Sequence, residues 1–208
     1  MAAKILVEGQ EEERKRIARE LHDGLGVLLS ATKMQFSSLR LSIPENKELF
    51  DRAIKLLEQA SGDVRKISHN MMPGLLTKLG FFEAVEDLVD NIKDIKGMHA
   101  DCIIEGDQER LPENKEIMLY RVVQEMVNNC IKHAQAHYII LKIQRTSNEL
   151  HLTFQDDGIG FDVEQAMNSP TASLGLKSIH SRIGFLNGEV RIESAPGQGV
   201  KYFIRIPV

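Results

Sequence analysis

The 208-residue chain has no tryptophan, only two cysteines, only six prolines, and a formal charge of just −4. Each scarcity excludes something. Cys102 and Cys130 are too few and too far apart for a disulfide framework or a zinc site, so a reducing compartment fits. The mild acidity supplies no basic field for nucleic acid. No apolar run approaches the roughly 18 residues a membrane-spanning helix needs, and no signal peptide precedes the first charges. What is present, 42% apolar and 27% charged residues, excludes wholesale disorder and describes a globular chain. Its length gives room for one large domain or two small ones.

The first third reads as helix. Residues 11–41 contain no proline, and Ile17, Leu21, Leu25, Leu28, Leu29, Phe36 and Leu39 recur at steps of three and four, marking one apolar face. Pro44 stops that helix. A second periodic stretch over 45–70 carries Leu49, Ala53, Leu56, Leu57, Ala60, Val64 and Ile67 on its apolar side. Two helices joined by a short turn form an antiparallel hairpin. A hairpin alone cannot enclose a core, so a second copy is expected to complete a four-helix bundle; packing on the rest of its own chain is the alternative. Met71-Met72-Pro73-Gly74 breaks the second helix and sets the domain boundary, giving domains over 1–74 and 75–208.

Beyond the boundary the texture becomes mixed. Helices are expected over 80–95 and 114–133. Strands follow from alternation at Ile139, Leu141 and Ile143, at Leu150, Leu152 and Phe154, at Val190 and Ile192, and at Tyr202, Ile204 and Ile206. The expected fold class is α+β: a helical hairpin, then an α/β sandwich on a mostly antiparallel sheet. Residues 195–199 read as the hairpin turn between the last two strands. Residues 162–173, polar and rich in small side chains, read as a loop or a lid.

Three elements carry chemistry. On the helix over 114–133, Glu125, Asn129, Lys132 and His133 share a polar stripe opposite Leu119, Val123, Met126, Val127 and Cys130. Asn129 offers a neutral oxygen to a hard cation and Lys132 a charge to phosphate, although a solvated face would look similar. In Gln155-Asp156-Asp157-Gly158-Ile159-Gly160, Asp156 shares strand parity with Leu150, Leu152 and Phe154 and so points toward the core. A carboxylate aimed inward needs a partner. Gly158 and Gly160 allow a sharp turn and close approach of a ligand, or mark a plain turn. Leu174-Gly175-Leu176 opens a further helix, and free N–H groups at such starts accept phosphate. His69, His99, His137, His151 and His180 lack metal-ligand spacing.

Together these elements resemble the ATP-binding domain shared by histidine kinases, type II topoisomerases, Hsp90-like chaperones and MutL-like repair proteins. EMVNNCIKHA at 125–134 matches its N box, 156–160 its first glycine box and 174–176 its second. Gly197-Gln198-Gly199 lies where the final glycine turn lies, with Val200 in place of the usual Ser or Thr. The likeness covers about 75–208 and implies the Bergerat fold with ATP and Mg²⁺ as cofactors. It implies Asn129 as a Mg²⁺ ligand, Asp156 on the adenine amino group and Lys132 or His133 near phosphates. Gly158, Gly160, Gly175 and Leu176 fall in the nucleotide-binding turns, and Glu125 would orient water or metal. No P-loop is present, as this fold binds ATP by another route.

Residues 13–26, ERKRIARELHDGLG, resemble the phosphoacceptor helix of nitrate-sensor and DesK-type histidine kinases, over about 11–76. The resemblance implies autophosphorylation of His22, Asp23 holding the imidazole tautomer, a homodimer, and transfer to an Asp of a response-regulator receiver domain. On a helix, neighbours at i and i+1 do not face each other, so Asp23 would have to reach around. Related kinases often carry a Gln four residues after the Asp. Val27 stands there and cannot hydrogen-bond water, which predicts weak or absent phosphatase activity by that route. The charged start predicts a cytoplasmic portion of a longer, membrane-anchored receptor, with a free cytoplasmic kinase as the alternative. Two other readings are a nucleotide-binding scaffold without kinase activity and a Bergerat-fold serine kinase or ATPase.

Overall fold

The structure, a computed structural model, describes residues 2–42, 47–71, 74–93, 97–168 and 173–208. The chain divides into two compact units, Met1–Gly74 and Leu75–Val208.

The first unit is helical. Helix α1 (Ala2–Glu20) runs through a π-helical turn (Leu21–Gly26) into α2 (Val27–Ser42), and α3 (Lys47–Met71) packs back along them. Helix α1 begins nine residues earlier than apolar periodicity predicts. Arg16 supports it by bonding Glu13 and Glu20, one turn away on either side. The antiparallel sense of α2 and α3 shows in their contacts: Phe36 meets Phe50 edge-on at 6.1 Å, and Lys33 reaches Glu58 at 2.7 Å. The expected turn at 43–46 and break at 72–73 lie outside the described residues. Of the described apolar side chains in this unit only Ala18 and Val64 are buried, while Leu25, Leu28, Met34, Leu39, Leu49, Leu56 and Ile67 are exposed.

The second unit is a two-layer α/β sandwich. After α4 (Gly74–Lys78) and α5 (Phe81–Lys93) come β1 (His99–Gly106), α6 (Glu113–Asn129), a second π turn (Cys130–Ala134), β2 (Tyr138–Arg145) and β3 (Glu149–Asp156). Helices α7 (Val163–Asn168) and α8 (Ser173–Phe185) precede β4 (Glu189–Ser194) and β5 (Val200–Pro207). The sheet order is β1-β2-β3-β5-β4, with β1 parallel to β2 and every other pair antiparallel. Strand β1 is not anticipated by the sequence pattern, because only Ala100 of its residues is fully buried and an edge strand leaves little alternation to read. Strands β4 and β5 form the expected pair across 195–199.

Register aligns the core. Leu141 lies opposite Phe154 and Ile143 opposite Leu152; on the other side Phe154 faces Tyr202 and Leu152 faces Ile204. These side chains are buried together with Phe81, Phe82, Val85, Leu119, Val123, Met126, Ile179 and Ile183 from the helices. Losing a ring such as Phe154 from a core of this kind costs about 3–5 kcal/mol. The start of α6 is held by Glu116, 1% exposed, which accepts bonds from Arg110 Nε (2.9 Å) and Leu111 N–H (3.1 Å). A buried carboxylate so paired avoids the cost of a lone charge.

Candidate nucleotide site and phosphoacceptor turn

The antiparallel register brings the end of β3 and the starts of β2 and β5 to one end of the sheet, and the second π turn delivers α6 to the same end. Asp156 closes β3 there, 4% exposed, with its Oδ1 accepting from Gly158 N–H at 2.9 Å. Burial pushes its carboxyl above the ordinary range; the N–H groups of Gly158 and Val200 oppose that, and the charge of Asp157 adds to it. An inward-facing Asp156 carboxyl with lone pairs left over fits a neutral donor such as an exocyclic amine.

The turn that follows is fixed by main-chain bonds on both sides. Ile159 N–H donates to Ala134 carbonyl at 2.8 Å, and Gly197 N–H donates to Ile159 carbonyl at 2.6 Å. Gly158 lies directly against Ala134. Gly160 adopts φ +61°, and a Cβ there would overlap the Ala195 carbonyl, so this position demands glycine on two counts. Phe161 N–H donates to Ser194 Oγ at 2.9 Å, and that hydroxyl donates to Gly199 carbonyl at 2.7 Å.

Glu125 and Asn129 are half-buried one turn apart on α6, and the first turn of α8 lies on them. A Cβ at Gly175 would meet Glu125 Oε1 and come within 3.3 Å of both amide atoms of Asn129, so a larger residue there would displace the Glu125 side chain. Leu176 is buried and Leu174 exposed. Lys132 and His133 are exposed on the π turn, which the 3.6-residue reading of the stripe does not anticipate. Extra residues in such a turn rotate everything beyond Asn129 relative to an α-helix.

Two residues join the site that sequence reasoning places only in a core or an apolar face. The Tyr202 hydroxyl is held up in its titration by burial and then by Asp156, Glu125 and Cys130. Burial, with Asp156 and Asp157, pushes the Cys130 thiol up to about 12. Both groups are therefore neutral near pH 7. The strand parity of Tyr202 with Ile204 is legible in the sequence; its neighbours are not.

Among the described residues, no three His, Cys, Asp or Glu side chains cluster as a metal cage. A hard cation at this site would hold to Asn129 Oδ1 and Glu125 and share its remaining ligands with phosphate and water, which suits Mg²⁺. Residues 162–173, read as a loop or lid, contain α7, capped by Asp162 Oδ1 accepting from Gln165 N–H at 2.9 Å. Residues 169–172 of that segment lie outside the described residues.

In the helical unit, His22, Asp23 and Gly24 occupy the first π turn. Asp23 is exposed; the side chain of His22 lies outside the described residues. No atom lies within 4 Å of the space a Cβ at Gly24 would fill, and Val27 is 60% exposed. No helix among the described residues is long and apolar enough to cross a membrane.

Comparison with known proteins covers both units. Residues 13–76 match the family described as Histidine kinase, and residues 114–208 match Histidine kinase-, DNA gyrase B-, and HSP90-like ATPase. The chain is 32% identical over 211 residues to the signal transduction histidine-protein kinase/phosphatase DegS of Bacillus subtilis, covering 98% of this chain and 55% of that protein. It is 30% identical over 210 residues to DegS of Brevibacillus brevis, covering 98% and 53%. With the oxygen sensor histidine kinase NreB of Staphylococcus carnosus it shares 28% over 205 residues, 97% of this chain and 58% of that one. The chain thus spans about half the length of the curated relatives it matches. In fold it is similar to the histidine kinase domain of the Erythrobacter litoralis EL346 blue-light activated kinase, with a TM-score of 0.53 at 16% identity, covering 86% of this chain and 95% of that one. With a phosphoacceptor-type hairpin matched over one unit and the ATPase sandwich over the other, the chain belongs to the histidine kinases of the nitrate-sensor and DesK type.

Proposed function

We propose that this chain is the catalytic core of a two-component sensor kinase, which phosphorylates its own His22 from Mg-ATP and passes the phosphoryl group to an Asp of a response-regulator receiver domain. The observation that carries this reading is the buried Asp156, held beside a glycine turn at the sheet end where Glu125 and Asn129 lie beneath the start of α8. Asp156 accepts from the adenine amino group. Asn129, with Glu125, holds the cation, and Lys132 or His133 offers positive charge to phosphate oxygens. Mg²⁺, when bound, spreads the negative charge that develops on the transferred group.

His22 attacks as a neutral imidazole with one free lone pair, and Asp23 holds the proton on the other nitrogen. The exposed apolar face of the hairpin supports a homodimer, in which a second copy covers Leu28 and Leu56. Val27 presents no hydrogen-bonding group to water, so partner dephosphorylation by that route is weak or absent.

The test is incubation with γ-labelled ATP and Mg²⁺, comparing the parent with His22→Ala. Acid-labile, base-stable label on the parent and none on the variant is the expected result. Label persisting in His22→Ala would move the acceptor elsewhere, and nucleotide binding without label in either protein would favour a scaffold.

A further inference from the structure

The two carboxylates at the end of β3 have different surroundings. Asp156 is buried on the helix side, whereas Asp157, one residue on, is exposed and turned toward the start of β2. Its Oδ1 accepts from two consecutive main-chain donors, His137 N–H at 2.8 Å and Tyr138 N–H at 2.9 Å. Asp157 N–H returns a bond to Tyr138 carbonyl at 3.2 Å, and Ile159 N–H holds Ala134 carbonyl. These four bonds tie the glycine turn to the segment leaving the second π turn.

That segment needs the tie. It leaves the π turn through Gln135, a non-glycine residue held in the left-handed region at φ 53° and ψ 32°. Such a conformation persists only where surrounding contacts hold it. Burial would raise the Asp157 carboxyl, but the N–H groups of Tyr138 and His137 outweigh that and hold it below the usual carboxylate range. The carboxylate is therefore ionised, and bonds from N–H groups to an ionised acceptor are among the stronger ones.

We propose that Asp157 is a positioning residue for nucleotide binding: by capping His137 and Tyr138 it fixes the π turn that carries Lys132 and His133 relative to the Asp156 carboxylate. It touches no nucleotide. It sets the distance between the groups that would hold the adenine and those that would meet the phosphates. The inference rests on the ATP-binding reading above.

The test is the Kd for Mg-ATP of the full chain, measured with the Tm for the parent, Asp157→Ala, Asp157→Asn and Asp157→Glu. The side chain is exposed, so truncation opens no cavity. Asp157→Ala is expected to weaken Mg-ATP binding about tenfold or more, as loss of the two main-chain hydrogen bonds does. Asp157→Asn, whose Oδ1 accepts the same two bonds, stays within about threefold of the parent. Asp157→Glu keeps the charge but moves it out by one methylene, and falls with the alanine variant. A lowered Tm with unchanged Mg-ATP affinity in Asp157→Ala would reduce the residue to a structural role and overturn the proposal. Asparagine failing like alanine, or glutamate matching the parent, would overturn it too, by making charge rather than placement the cause. A parent that binds no Mg-ATP sinks the ATP-binding reading and this inference together. A parent that binds, beside an alanine variant that binds equally well, sinks this inference alone.

Discussion

Among the described residues each unit contains one π-helical turn, and the two are built in opposite ways. The turn at Cys130–Ala134 is enclosed: Cys130 and Ala134 are buried, Gly158 lies against its last residue, and Asp157 caps the N–H groups just beyond it. The turn at Leu21–Gly26 is open, with Asp23, Gly24 and Leu25 exposed and empty space beside Gly24. The same contrast holds for whole units. Behind the sheet, side chains from α5, α6 and α8 fill a closed core, whereas among the described apolar side chains of the hairpin only Ala18 and Val64 are buried. A nucleotide site needs groups fixed before the ligand arrives, so rigidity serves it. An acceptor that must be reached by a separate domain needs access, and in the proposed homodimer its unit obtains its missing core from a second copy.

The largest effect should come from denying the hairpin that second copy. Leu28 and Leu56 are 64% and 67% exposed, and burying each leucine is worth about 1.5–3 kcal/mol. Leu28→Glu combined with Leu56→Glu is expected to convert a dimer to a monomer by light scattering, while Mg-ATP affinity stays that of the parent. A parent that is already monomeric would show that no second copy covers the exposed face. A double variant that remains dimeric would place the interface on another surface.

Next in size is a change inside the closed unit. Asp156→Asn retains shape but exchanges the carboxyl proposed to accept from adenine for an amide. A hydrogen bond to a charged group is worth roughly 1.5–3 kcal/mol, or about ten- to 150-fold in affinity. Isothermal titration with Mg-ATP should show that loss with the dimer intact, the mirror image of the leucine variant. Equal affinity in parent and variant would remove Asp156 from the adenine contact.

The contrast also explains what the sequence disclosed. Strict alternation made β2, β3 and β5 legible, and the inward parity of Asp156 followed from the same count. Periodicity made α2, α3 and α6 legible because each has one consistently apolar side. It could not disclose the π turns, since an added residue in a helix leaves composition unchanged and shifts only phase. Nor could it disclose β1, an edge strand paired in parallel to a segment more than thirty residues later. The roles of Asp157 and Tyr202 are tertiary: one depends on donors at His137 and Tyr138, the other on a neighbourhood assembled from α6 and β3. Asp157 reads only as turn chemistry because nothing local distinguishes a capping Asp from a solvated one.

The smallest expected effect tests whether the open turn is a local weakness or part of the chemistry. Glycine costs a helix interior about 1 kcal/mol relative to alanine, and a Cβ at Gly24 would meet nothing. Gly24→Ala should therefore stabilise the helical unit by up to about that amount, read as a rise in Tm. The matched change Gly158→Ala beside the enclosed turn should do the reverse, because its Cβ collides with Ala134. Autophosphorylation of the stabilised Gly24→Ala protein then decides the role of the open turn. A rate that falls while Mg-ATP affinity holds would mean that His22 accepts its phosphoryl group through a turn that must reshape. An unchanged rate would mean that Gly24 is tolerated there only because nothing packs against it.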